Sequence, residues 1–123
     1  MVLHRFASNL RIRTNQDPPV NSCRPSADVL FPSVADIYGA GTLAVVLTGM
    51  GRDGLDGCRH VAAAGGRILV QDEASSVVWG MPGHVANAGL ADLVLPLDEL
   101  GKEISSRLNP GARSPDAGVR KQK

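Results

Sequence analysis

Aromatic residues are scarce in this chain: one Trp, one Tyr and two Phe in 123 residues. Any core must therefore be filled by Val, Leu, Ile and Ala rather than by large rings. No apolar run approaches the roughly 18 residues of a membrane-spanning helix. The opening residues, MVLHRFASNLRIR, lack the uninterrupted apolar stretch of a secretory signal. The expectation is a cytoplasmic protein that is not membrane-embedded. An excess of one charge is missing too: 13 Lys and Arg stand against 12 Asp and Glu, for a net charge of +1. That balance gives no reason to expect a nucleic-acid partner. The two cysteines, Cys23 and Cys58, show neither C-x-x-C nor Cys/His metal spacing. They read as unpaired packing residues of a reducing compartment, and no metal or cofactor is expected.

What the chain does have is LAVVLTGMGRDG, Leu43 to Gly54, an apolar run that empties into a glycine-punctuated loop with one acid, Asp53. Near-continuous Val/Leu runs mark buried parallel strands, and open α/β sheets keep their sites at the carboxyl ends of such strands. Leu55, Cys58, Val61 and Ala62 then place a stripe on a helix that Gly65-Gly66 ends, and Arg67 to Gln71 forms a second strand. A third helix starts at Pro82 and runs to Gly89, a third strand spans Ala91 to Leu95, and Leu97, Leu100, Ile104 and Leu108 line a last helix stopped by Pro110. Upstream, SADVLFPSVADIYG reads as a helix with Ser26 as N-cap and Asp28 in its first turn. Pro32 within it predicts a kink or a later start, because an interior proline costs about 3 kcal/mol. Residues 1–19 read as irregular apart from a short alternating piece, Asn9 to Thr14, which reads as one strand of a hairpin, and residues 109–123 as a disordered tail. The pattern is α/β, and three parallel strands are thin enough to be only part of a sheet.

Two chemical readings compete for the loop, beside a glycine turn with no chemistry, and the first comes from spacing alone. Gly49, Gly51 and Gly54 match G-x-G-x-x-G between a strand and a helix, with Asp72 about 20 residues further on, which is a dinucleotide-binding fingerprint. Against it, Asp53 would put a carboxylate beside the pyrophosphate.

The other reading comes from resemblance. From Pro18 to Leu100 the segments PPVNSCRPSADVLFPSVA, VVLTGMGRDGLDG and QDEASSVVWGMPGHVANAGLADLVLPLDEL resemble the C-terminal half of the CheB-type chemotaxis protein-glutamate methylesterase domain. The resemblance implies a doubly wound, mostly parallel α/β fold, of which residues 20–108 are the C-terminal part. It implies a serine hydrolase that removes methyl groups from glutamate methyl esters on the cytoplasmic helices of chemoreceptors, with glutamine deamidation in some members. Asp53 matches the family's triad acid, which orients the catalytic histidine and stabilises the imidazolium. Met50 matches the residue whose backbone N–H serves the oxyanion hole, and Gly49, Gly51 and Gly54 let the backbone turn and approach.

The same pattern calls for a serine in a glycine-rich turn and a histidine after the next strand, and neither motif occurs in these 123 residues. Ser8 and His4 stand in no such motif. His60 and His84 read as surface or interface residues, Ser75 and Ser76 as structural residues near the substrate groove, and Cys23 stands where relatives commonly carry histidine. The expectation is a truncated or split methylesterase domain, inactive alone, with a separate chain that carries the N-terminal half as a candidate partner and the choice between fragment, truncated gene and split enzyme open. The alternatives are a noncatalytic remnant or interaction module, and a dinucleotide-binding βαβ unit.

Overall fold

Leu43–Val46 (β3) is the first of three parallel strands in a computed structural model that describes residues 1–6, 9–21 and 23–108. It pairs with Arg67–Gln71 (β4), Leu43 opposite Arg67 and Val46 opposite Val70, and β4 pairs with Leu93–Leu95 (β5), Leu69 opposite Leu93. The order β3-β4-β5 puts β4 in the centre. Its Ile68, Leu69 and Val70 are fully buried. Because side chains alternate across a strand, Ile68 and Val70 face one way and Leu69 the other, so both faces of β4 are covered.

The helices supply the cover. Leu55–Ala63 (α2) follows β3 and Met81–Asn87 (α3) follows β4. Cys58 and Val61 of α2 and Val85 of α3 join Ile68, Val70, Ala44 and Val46 in one aliphatic cluster. Leu97–Leu108 (α4) packs on β4 and β5 and buries Leu100. The architecture is the α/β one expected. The last helix ends at Leu108, and the tail read at residues 109–123 lies outside the described residues.

Two strands are shorter than the sequence pattern predicts, β3 against Leu43 to Thr48 and β5 against Ala91 to Leu95, and side chains explain both. Beyond Val46, the Thr48 N–H is taken by the Gln71 side-chain carbonyl at 2.8 Å rather than by a ladder partner. Before Leu93, the Asp92 carboxylate accepts the Ile68 N–H at 2.7 Å.

Ala27–Tyr38 (α1) begins directly after Ser26, whose hydroxyl accepts from the Asp28 N–H at 3.1 Å. It runs through Pro32, so the later start does not occur. The Ser33 hydroxyl, next to the proline, donates to the Leu30 carbonyl at 2.6 Å. It also accepts the Leu3 N–H at 2.8 Å, which fastens a hairpin to the helix. In that hairpin Val2–Phe6 (β1) pairs antiparallel with Asn9–Arg13 (β2), so the alternating piece is one strand of a hairpin, as read, and its partner falls in residues read as irregular.

Helices α1 and α2 meet at Gly57, where a Cβ would lie 2.8 Å from the Phe31 Cβ and 3.0 Å from the Ala27 carbonyl oxygen. In a helix interior Gly→Ala normally stabilises, here sterics oppose it. Gly57→Ala is expected to lower the unfolding free energy by about 1–3 kcal/mol in urea titrations, as overpacking does. A neutral or stabilised variant would show that the helices are not in close contact there.

Candidate active site

The loop from Gly49 to Gly54 leaves the carboxyl end of β3, the position where open parallel sheets hold ligands. It is zipped to the segment ahead of α3. The Gly49 N–H donates to the Val78 carbonyl at 3.0 Å, and the Gly49 carbonyl accepts from Gly80 at 3.1 Å and Met81 at 2.9 Å. The Thr48 hydroxyl donates to the Val78 carbonyl and accepts the Val78 N–H, each at 2.9 Å. So close an approach excludes a side chain at position 80, whose Cβ would stand 2.7 Å from the Gly49 oxygen. The loop itself turns through two left-handed glycines, Gly51 at φ +91° and Gly54 at φ +99°. Met50 lies at the tip, 82% exposed, and its backbone N–H has no partner among the described residues.

Asp53 turns inward and is buried, 6% exposed. It faces the start of α1. Its Oδ2 accepts the Ala27 N–H at 2.6 Å, while Oδ1 accepts from the Ser26 hydroxyl at 2.5 Å, the Asn21 amide at 3.1 Å and the Asp28 N–H at 3.4 Å. Oδ1 is thus saturated, and Oδ2 keeps an open acceptor position. Burial, the largest single influence, pushes this carboxyl up, but the hydrogen bonds from Ser26, Ala27, Asn21 and Asp28 together outweigh it and hold the group below its ordinary 3.8.

Asp28 returns the arrangement. It sits in the first turn of α1, and its Oδ1 accepts the N–H groups of Gly54 at 2.9 Å and Gly57 at 2.7 Å, at the start of α2. Each carboxylate therefore caps the other's helix, where free N–H groups and the helix dipole favour negative charge. The Asn21 amide spans the pair, donating to Asp28 Oδ2 at 2.6 Å as well as to Asp53. Behind them Cys58 is fully buried, and burial, aided by the negative charge of Asp28, pushes its thiol up to about 12.

This geometry argues against the dinucleotide reading for a reason the spacing did not contain. The N–H groups at the start of α2 that would cradle a pyrophosphate are already taken by Asp28. Asp72, the acid the fingerprint needs for a ribose, accepts instead from the Ser75 N–H at 3.0 Å and hydroxyl at 2.6 Å.

The other candidates fall outside the Asp53 cluster. His60 is exposed on α2, with Nδ1 3.2 Å from the Asp56 carbonyl, and His84 is exposed on α3. His4 is exposed on β1, and Ser8 lies outside the described residues. Ser75 and Ser76 are structural: Ser75 also accepts from Gln71 and from the Leu97 N–H, and Ser76 donates to the Asp72 carbonyl. Cys23 is half-buried, its thiol 3.4 Å from the Asn21 carbonyl. Two participants were missed as such. Asn21 carried no signal, and buried Gln71, which joins the ends of β3 and β4, read only as the last residue of a strand.

A group whose folded-state pKa is depressed stabilises the fold above its unfolded value and loses that contribution as pH falls through the folded one. Asp53→Asn is expected to destabilise the chain by about 2 kcal/mol at neutral pH, since it removes hydrogen bonds to a buried charge. In urea unfolding the gap to the parent should narrow as pH falls below 3.8. A gap that stays constant into acid would mean that the charge of Asp53 is not what the α1 terminus requires.

Comparison with known proteins agrees with this architecture. A profile of the CheB methylesterase family matches residues 1–104. The chain is 59% identical over 108 residues to a protein-glutamate methylesterase/protein-glutamine glutaminase of Trichodesmium erythraeum, covering 88% of this chain and 31% of that protein. It is 62% identical over 96 residues to a second such protein of Caulobacter vibrioides, covering 78% of this chain and 28% of that one. The chain thus spans under a third of the length of these curated relatives. The crystal structure of the Thermotoga maritima CheB methylesterase catalytic domain superposes with a TM-score of 0.80 at 34% identity, over 83% of this chain and 54% of that one. The parallel sheet, the glycine loop at its carboxyl edge and these likenesses lead to one conclusion: the chain belongs to the CheB methylesterase family.

Proposed function

We propose that this chain supplies the acid and oxyanion portion of a chemotaxis protein-glutamate methylesterase, and that its reaction is hydrolysis of glutamate methyl esters on chemoreceptor cytoplasmic helices, with glutamine deamidation as a second activity. The observation that carries the reading is Asp53: a buried carboxylate held ionised at the carboxyl end of a parallel strand, with one acceptor position of Oδ2 open. In that role Oδ2 accepts the N–H of the catalytic imidazole, fixes its tautomer and stabilises the imidazolium formed when the serine is deprotonated. The Met50 N–H, without a partner among the described residues, donates to the oxygen of the tetrahedral intermediate as it takes on charge. Neither step moves a proton onto Asp53.

Serine and histidine come, on this reading, from the N-terminal half of such a domain. The sheet supports a place for it. The outer edge of β3 has no strand partner among the described residues, and beside it an apolar hollow is lined by Phe31, Val45, Leu47 and Met81 and reaches Ala27 and Gly54, the neighbours of the Asp53 cluster. Val77, Leu47 and Met50 are exposed apolar residues of these loops and strand ends. A half-domain docked along β3 would bury this surface and bring its histidine toward Asp53.

Purified chain mixed with a peptide carrying a glutamate methyl ester should release no methanol above background. Adding the serine- and histidine-bearing half of a family member should produce turnover, and Asp53→Asn should lower it roughly ten-thousandfold, as loss of the orienting acid does in serine hydrolases. Turnover by the chain alone that is abolished in Asp53→Ala would overturn the assignment of nucleophile and base to another segment. The chain alone should also self-associate in size-exclusion chromatography or bind a hydrophobic dye. A compact monomer with one sharp melting transition would exclude the β3 edge as an interface.

A further inference from the structure

Asn21 combines two features that have different explanations. Its backbone is left-handed, φ +53°, at a tight turn closed by Val20 N–H to the Cys23 carbonyl at 3.0 Å and Cys23 N–H to the Val20 carbonyl at 2.8 Å. Asn is among the few side chains that tolerate this conformation, and two-residue turns require it. The turn accounts for the backbone but not for where the side chain goes. The amide nitrogen donates to both carboxylates of the capping exchange, to Asp28 Oδ2 at 2.6 Å and Asp53 Oδ1 at 3.1 Å. Two carboxylates thus share one donor group.

We propose that Asn21 is the positioning residue for Asp53: its amide, delivered by the left-handed turn, ties Oδ1 to Asp28 and so holds the carboxylate in the orientation that leaves Oδ2 open. Ser26 and the backbone of Ala27 and Asp28 reach Asp53 from α1 alone, so they fix it relative to one helix. Asn21 adds a point outside that helix, and through Asp28 it links the same carboxylate to the start of α2. Among the described residues, Asp28 on α1 shares the Asn21 amide with Asp53, and the Cys58 thiol on α2, which feels the charge of Asp28, stays protonated across the acid range.

The orientation proposed for Oδ2 takes its catalytic meaning from the reading of Asp53 as the orienting acid, but the clamp itself is testable without turnover. In the full chain labelled with 13C at the Asp side-chain carboxyls, the Asp53 midpoint is followed by NMR for the parent, Asn21→Gly and Asn21→Asp. Glycine keeps the left-handed turn and removes the amide. Aspartate keeps the shape and replaces the donor with a third carboxylate. The expected result is an upward shift of the Asp53 midpoint in Asn21→Gly, a larger one in Asn21→Asp, and no shift at Asp98 on α4. If Asn21 serves only the turn, Asn21→Gly leaves the Asp53 midpoint where it was, and the proposal is overturned. Failure of the ester assay would remove the catalytic reading while leaving this titration result standing, and the reverse holds equally.

Discussion

Two carboxylates that cap each other's helices hold this structure together at its site. Asp53, in the loop ahead of α2, receives the N–H groups at the start of α1, and Asp28, in the first turn of α1, receives those at the start of α2. A helix start buried without partners for its N–H groups is costly, and here both are satisfied by charge-assisted bonds. The close crossing of α1 and α2 at Gly57 and the low carboxyl pKa of Asp53 follow from the same few contacts. The loop that carries Met50 is fixed at one end by this exchange and at the other by the zipper to Val78 and Gly80.

The sheet contributes a rigid platform rather than chemistry. Its central strand is buried on both faces, so the carboxyl ends of β3 and β4 are held in register by the ladder and by Gln71, whose side chain accepts from Thr48 and donates to Ser75. The site is therefore built from loops whose two ends are each pinned to regular structure, which is how a scaffold holds reacting groups to the tolerance that catalysis needs.

Much of this was legible in the sequence. The Val/Leu run at β3, the apolar stripes of α2 and α4 and the proline at the head of α3 are strong local patterns, and all three strands of the parallel sheet were placed. What failed to show depends on partners distant in the chain. VLHRF has no clean alternation, and β1 exists because it can pair with β2 and lie on α1. Pro32 argued for an interrupted helix, yet the capped start at Ser26 and the packing of Phe31 against the core outweigh one missing hydrogen bond. Asp53 was identifiable as the notable acid of the loop from its place at the carboxyl end of an apolar strand, while its donors lie 25 to 32 residues upstream and could not be read from spacing. The glycine fingerprint misled for the same reason. Its pattern is local, and the group that fills the anion seat, Asp28, comes from another helix.

The reciprocal cap also bears on how such a chain changes over generations. A residue that serves only catalysis drifts once the activity is dispensable, whereas one that also holds two helices together is retained by selection for stability. Asp53 is both. Substitution there would unfasten the start of α1 whether or not the proposed reaction is carried out, so this acid is expected to persist even in lineages that lose such an activity.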